Sequence, residues 1–180
     1  MKGPILKGPR ITLRPIKLSD APLFISWFKD KEVFRYLMLQ KTPSLVAERK
    51  WIRDNLRAKD TLNWSIYNES GVVIGNCGIR VKSADKLAHF GIVIGDKTQW
   101  GKGYAGEVIN AVGDYVFKKL KYQRFELVLF MDNKRALSVY KKAGFKLDGI
   151  RRRYHWNLVT KKFDDDGMMS ILKEEWGKKK

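Results

Sequence analysis

Apolar and polar positions alternate over residues 11–16, and the β-branched content of that run predicts a strand. Ser19 then stands as the cap of a helix reaching Asp30, with Pro22 in its first turn and Leu23, Ile25, Trp27 and Phe28 as its apolar stripe. A second helix is predicted over 44–59, capped by Ser44 and turned inward through Leu45, Val46, Trp51, Ile52 and Leu56. The period then changes from helical to two. Residues 63–67 and 72–81 read as strands joined across Asn68, Glu69, Ser70 and Gly71, and 87–94 as the third strand of an antiparallel meander.

From 87 onward the pattern is strand, helix, strand, helix, strand: 87–94, a strongly periodic helix at 104–120, a buried strand at 125–131, a short helix at 135–143 and a strand at 145–150. A last alternation at 168–172 predicts a strand returning beside it. No repeat or linker interrupts this order. The expected fold class is therefore α/β (α+β): a mixed central sheet of six to seven strands with helices on both faces, in one domain over 1–176 and a basic tail at 177–180.

Composition narrows the picture. The lone cysteine, Cys77, has no partner for a disulfide, and no clustered histidines offer a metal site, which favours a reducing, cytoplasmic setting. No apolar run approaches the length of a membrane span, and no targeting segment is read at the N-terminus. The net charge of +18 biases the chain toward anionic partners, although a solvated lysine-rich surface gives the same number. Direct nucleic-acid binding is not expected, because basic residues are not interleaved with aromatics along one face and no recognition motif is present.

The sharpest local feature is the run Gln99-Trp100-Gly101-Lys102-Gly103-Tyr104-Ala105-Gly106 between a predicted strand and a predicted helix. Glycines there let a ligand approach the backbone, and the free N–H groups of a helix N-terminus suit a phosphate or pyrophosphate. Gly101, Gly103 and Gly106 also satisfy the dinucleotide fingerprint, with Glu126 about twenty residues on. Three antiparallel-looking strands precede this loop, however, where the fingerprint opens a doubly wound parallel domain. The P-loop reading fails because Lys102 is not followed by Ser or Thr. A purely structural glycine turn stays open on local grounds.

Taken with the strand at 92–94, this loop and the later stretch from Asp132 to Phe145 resemble the GNAT superfamily of acetyltransferases. More narrowly, Leu13-Arg14-Pro15 with Asp20-Ala21, and the closing Ser170 to Trp176, resemble the RimJ/RimL branch of ribosomal-protein N-acetyltransferases. The resemblance covers nearly the whole chain and implies a sheet in which two parallel strands splay apart to receive acetyl-CoA. By that resemblance Ile92, Val93 and Ile94 line the pantetheine, the backbone from Trp100 through Gly101, Lys102, Gly103, Tyr104 and Ala105 holds the pyrophosphate, and Asn133 adds a cofactor contact. The superfamily loop usually opens on Arg or Gln where Trp100 stands, and Ala136 occupies a position often held by Ser, which removes one hydroxyl near the cofactor.

The implied reaction is attack of a neutral amine on the thioester carbonyl in a ternary complex, with coenzyme A leaving as a thiolate. Tyr140 matches the residue that donates a proton to the leaving sulfur; without the motif, a tyrosine packed on the sheet is the plainer reading. Asn133 is placed to cap the helix that carries Tyr140. His89 stands where relatives carry a glutamate base, with water, Glu126, Asp165 and Asp166 as alternatives, and His155 is read as a surface residue. Phe34, Arg35, Tyr36 and Tyr154, with Trp156 beside it, fall in regions that flank the acceptor in relatives. The acceptor is expected to be a protein N-terminus, an amino sugar or a small amine, on an anionic carrier such as a ribosome or a nucleotide sugar, and the chain a monomer or homodimer. Two other functions are consistent with the sequence: a non-catalytic basic binding module on the same fold, and a dinucleotide-dependent oxidoreductase.

Overall fold

A computed structural model describes residues 3–178; Met1, Lys2, Lys179 and Lys180, the last two within the predicted basic tail, lie outside the described residues. Eight strands form one sheet: β1 (Leu6–Lys7), β2 (Thr12–Pro15), β3 (Thr61–Tyr67), β4 (Val73–Lys82), β5 (Leu87–Ile94), β6 (Arg124–Phe130), β7 (Lys146–Asn157) and β8 (Lys162–Leu172). Their spatial order is β1-β2-β3-β4-β5-β6-β8-β7, and β5–β6 is the parallel pair among antiparallel neighbours. The sheet exceeds the expected six to seven strands because the two-residue β1 pairs with β2, a length too short to show any alternation.

Helices cover both faces. On one, α4 (Tyr104–Asp114) and α5 (Lys134–Lys142) pack onto the alternate residues Ala88 and Phe90 of β5 and Phe125, Leu127 and Leu129 of β6. Tyr104, Val108, Ile109, Val112 and Val116 supply the inward stripe of α4, at spacings that return to one helix face. The predicted helix at 104–120 continues past Asp114 as a π-helical turn, Tyr115–Lys119. On the other face α1 (Ala21–Phe28), α2 (Lys31–Phe34) and α3 (Leu45–Arg57) enclose Ile16, Phe24, Trp27, Phe28, Val33 and Ile52.

The first helix departs from expectation. Residues Leu18–Asp20 form a 3-10 turn, so Ser19 is not the cap; Asp20 precedes α1, and its buried carboxylate accepts from Lys17 N (2.9 Å) and Ser65 Oγ (2.6 Å). Asp30 ends that helix and opens the separate α2 by accepting from Glu32 N. In α3 the Ser44 cap forms, its Oγ accepting from Ala47 N at 3.2 Å. The inward stripe is Glu48, Ile52 and Leu56, while Leu45, Val46 and Trp51 are exposed, since successive inward positions on a helix recur every third or fourth residue.

Glu48 is an ionisable group facing apolar neighbours, and loss of solvent raises its carboxyl pKa. A folded-state pKa above the unfolded one favours the protonated form, so the stability it carries is present at acid pH and is lost as pH rises through the carboxylate range. Glu48→Gln is expected to match the native chain near about pH 4 and to gain on it by about pH 8, as urea midpoints at both values will report.

Candidate active site

The parallel ladder stops before its strands do. Pairing of β5 with β6 runs from Leu87–Arg124 to Phe90–Leu127; beyond it Gly91–Ile94 pair only with β4, and Val128–Phe130 only with β8. The two strands therefore part toward their C-terminal ends. The wedge between them has backbone polar groups on the β5 side with no strand opposite, and a Cβ built at Gly91 would meet nothing within 4 Å. Ile92 and Ile94 face the α4/α5 side of the sheet, and Val93 faces α1–α3.

The glycine loop sits at the open end of this wedge. Gly101 and Gly103 have φ of +78° and +87°, the left-handed region that glycine enters without strain, and Gly103 is the residue from which α4 springs. Among the described residues no acceptor meets the amides of Gly101, Lys102, Gly103, Tyr104 or Ala105. Five consecutive free donors beside the positive end of a helix make a cradle for a pyrophosphate. The loop is braced from behind: Arg10 donates from Nη2 to the Lys102 carbonyl (2.8 Å) and from Nε to Glu107 (2.7 Å), and Tyr104 Oη donates to Glu69 (2.8 Å). Tyr104 thus offers only its amide. Trp100 departs from the expected role, since its amide is spent on the Lys97 carbonyl at 3.1 Å. Its indole N–H instead donates to Ile94 O (2.7 Å), and Arg135 lies over its ring at 3.8 Å, which ties the loop to both β5 and α5.

Tyr140 lies on α5, its ring 5.9 Å from that of Phe145 and packed in the core. Among the described residues its hydroxyl has no hydrogen-bond partner, yet it is absent from the sealed, partnerless atoms, which are Arg35 Nε, Arg151 Nε and Thr160 Oγ1. The 7% of Tyr140 that is exposed therefore includes the phenolic oxygen. Burial pushes its pKa above the ordinary value, so the hydroxyl keeps its proton throughout the neutral range. Asn133 caps α5 as expected, its Oδ1 accepting from Ala136 N at 3.1 Å, which leaves its Nδ2 for a ligand.

Phe34, Arg35, Phe130, His155, Trp156 and Asn157 line a pocket of about 10 Å³. That is room for about one water. Arg35 holds Asp132 at 2.5 Å and lies 5.1 Å from the centre of the Tyr36 ring; its carbonyl accepts from Asn157. Tyr154 and Trp156 do not follow the penultimate strand but lie within β7, which with β8 is much longer than expected. Neither length shows in the pattern, because Arg151-Arg152-Arg153 and Asp164-Asp165-Asp166 do not alternate and a register shift between Arg151 and His155 breaks the period. Tyr154 is 54% exposed with the Arg151 guanidinium over its ring at 3.8 Å.

His155 is not the surface residue the sequence suggested. Its Nδ1 is 2.9 and 2.8 Å from the two carboxylate oxygens of Asp166, which is wholly buried and also receives Arg151 Nη2 at 2.8 Å. Asp165 accepts from Arg153 N at 2.7 Å. His89 is half exposed, 3.7 Å from Glu126, and belongs to the part of β5 still paired with β6. It shares the sheet face of Val93, opposite that of Tyr140. The residues missed from sequence are Asp132, Arg135 and Phe130, all within or beside the motif stretch, and the His155–Asp166 pair, for which only the acidic run gave a signal.

A family model described as an acetyltransferase (GNAT) domain matches residues 10–146. The chain belongs to the GNAT acetyltransferases. It is an N-acetyltransferase whose cosubstrate is acetyl-CoA, and the wedge and amide cradle fit that molecule's pantetheine and pyrophosphate. This acetyltransferase is 28% identical over 172 residues to the uncharacterized N-acetyltransferase p20 of Bacillus licheniformis, covering 93% of this chain and 95% of that one. It is 29% identical to the uncharacterized N-acetyltransferase YoaA of Bacillus subtilis, covering 94% and 97%. In fold it matches the spermidine N-acetyltransferase of Vibrio cholerae in complex with CoA and spermine, with a TM-score of 0.85 at 20% identity over 92% of this chain and 97% of that one. A GNAT acetyltransferase of Bacillus anthracis gives a TM-score of 0.83 at 21% identity over 96% and 100%. Among the described residues of the acetyltransferase no helix is long and apolar enough to cross a membrane.

Proposed function

We propose that this acetyltransferase acetylates a primary amine carried on an anionic group, such as a protein N-terminus of the kind the RimJ/RimL branch modifies, or an amino sugar on a nucleotide. The observation that carries the reading is the state of the carboxylates around the acceptor pocket. Asp132 is taken by Arg35, Asp164 by Asn157 at 2.5 Å, Asp165 by the Arg153 amide and Asp166 by Arg151 and His155. Among the described residues the guanidiniums of Arg152 and Arg153, on the exposed bulge next to His155 in the chain, have no acidic partner. A polycation needs free carboxylates, whereas free guanidiniums suit phosphate or carboxylate.

Acetyl-CoA supplies the acetyl group already activated as a thioester. The chain's residues do the rest. Amides from Gly101 to Ala105 hold the anionic end, helped by the charge of Lys102, and the unpaired edge of Ile92–Ile94 fixes the pantetheine and offers an N–H where negative charge develops on oxygen. Tyr140 donates a hydrogen bond to the departing sulfur from a phenol that stays protonated. The acceptor amine must lose a proton, and the chain has two imidazoles to take it, His89 and His155.

A thiol-release assay across amines tests the reading. Peptides with an acidic second residue and amino sugars bearing phosphate are expected to exceed spermidine in kcat/KM by about tenfold or more, a difference of ~1.4 kcal/mol in transition-state binding. Spermidine as the best acceptor would overturn it.

A further inference from the structure

Of the two imidazoles, one is built into a polar relay. His155 is clamped on three sides: Asp166 at Nδ1, the Phe130 ring edge-on at 5.6 Å, and the Tyr154 ring at 5.1 Å. With Nδ1–H donating to the Asp166 carboxylate, the neutral ring has Nε2 as a lone-pair acceptor. Among the described residues Nε2 has no partner, and it is not one of the sealed, partnerless atoms, so it reaches open space. His155 also lines a pocket with Phe34, Arg35 and Phe130 that has room for about one water. Phe130 is the last residue of β6 and forms part of the strand that diverges from β5, so the pocket adjoins the wedge.

Asp166 could serve simply to pair Arg151, but it is wholly buried at the centre of both contacts, and a buried carboxylate keeps its charge only where such partners meet it. Resting on the acetyltransferase reading of the wedge, we propose that His155, oriented by Asp166, is the base that takes the proton from the acceptor amine. In the step one N–H bond of the ammonium breaks and an Nε2–H bond forms; the nitrogen lone pair so freed attacks the thioester carbonyl, the C–S bond breaks as the C–N bond is made, the second N–H proton leaves on the coenzyme A sulfur as the thiol, and the imidazolium, held against the Asp166 carboxylate, returns its proton to water. The other charged or titratable groups facing this ring are Arg151 and Tyr154 on β7, Asp164 opposite it on β8, and the Arg35–Asp132 pair from the α2 side. His89 lines no part of that pocket.

The presence of two histidines makes the assignment measurable in the unaltered enzyme. With histidine-labelled protein, NMR follows both imidazoles through pH, and H89Q identifies which signal is which. The acid limb of kcat/KM, read by thiol release with the best amine of the panel, is expected to share its midpoint with His155. H155Q is expected to lose about 10²-fold or more at neutral pH and to recover as pH rises toward the amine's own pKa, with acetyl-CoA affinity unchanged. A limb that follows His89 or neither signal overturns the proposal, as does an H155Q enzyme with the native profile. If H155Q fails to fold, the comparison of midpoints in the native protein decides alone. Absence of turnover with every amine overturns the acetyltransferase reading of the wedge and this inference with it, whereas turnover with a limb elsewhere overturns the inference only.

Discussion

Replacement of Tyr140 by phenylalanine is expected to lower kcat by about 10²–10⁴-fold while leaving the fold and the binding of acetyl-CoA in place. The ring's packing against Phe145 and the α4/α5 core is retained by phenylalanine, and its hydroxyl has no partner within the described protein to lose. Removing such a group takes away one oxygen atom and no hydrogen bond, so the melting temperature should move little. What disappears is the donor beside the departing sulfur. Equal falls in kcat and kcat/KM, with an unchanged Kd for acetyl-CoA, would mark an interaction made in the transition state. A fall in affinity without a fall in kcat would assign the phenol to cofactor binding instead.

Phe125→Ala is expected to cost about 3–5 kcal/mol of stability. Phe125 is fully buried on β6, within the stretch that still pairs with β5, and its ring meets Phe90 at 5.2 Å, Phe117 at 6.2 Å and Phe145 at 5.4 Å. Those partners come from β5, the π-helical turn that follows α4 and the residue just before β7, so the cavity opens where the helices rest on the parallel pair. Against a total of about 5–15 kcal/mol for an ordinary domain, this loss brings the protein near its unfolding threshold. Urea unfolding reads the effect directly, and saturating acetyl-CoA should recover part of it, because a ligand that binds only the folded state adds stability by mass action. A loss below about 1 kcal/mol would mean that the aromatic cluster does not hold the wedge.

The sequence carried most of the sheet because its inner strands are periodic. Leu87–Ile94 coincides with its expectation, and Arg124–Phe130 lies one residue from it, since alternating Ala88, Phe90, Phe125 and Leu127 must face a core. The loop was legible for a different reason: glycines at 101 and 103 have a backbone purpose visible before any fold is known, and both occupy the left-handed region. Where polar residues are buried by pairing, pattern reading failed. The β7–β8 hairpin, rich in Arg and Asp, shows no apolar period, so its true length and the His155–Asp166 contact stayed hidden. The exposure of Leu45, Val46 and Trp51 has the same origin, because hydrophobicity alone does not say which of several helix stripes finds a partner.

Binding of one acetyl-CoA requires the amide cradle and the wedge to act together. Calorimetric titration with acetyl-CoA, repeated with an acetyl-pantetheine that lacks the pyrophosphate, tests this most directly. One site per chain is predicted for acetyl-CoA, with affinity for the truncated thioester weaker by at least about 10²-fold, since charge-assisted hydrogen bonds from five amides are lost. Equal affinity for the two, or no binding of acetyl-CoA, would contradict the account.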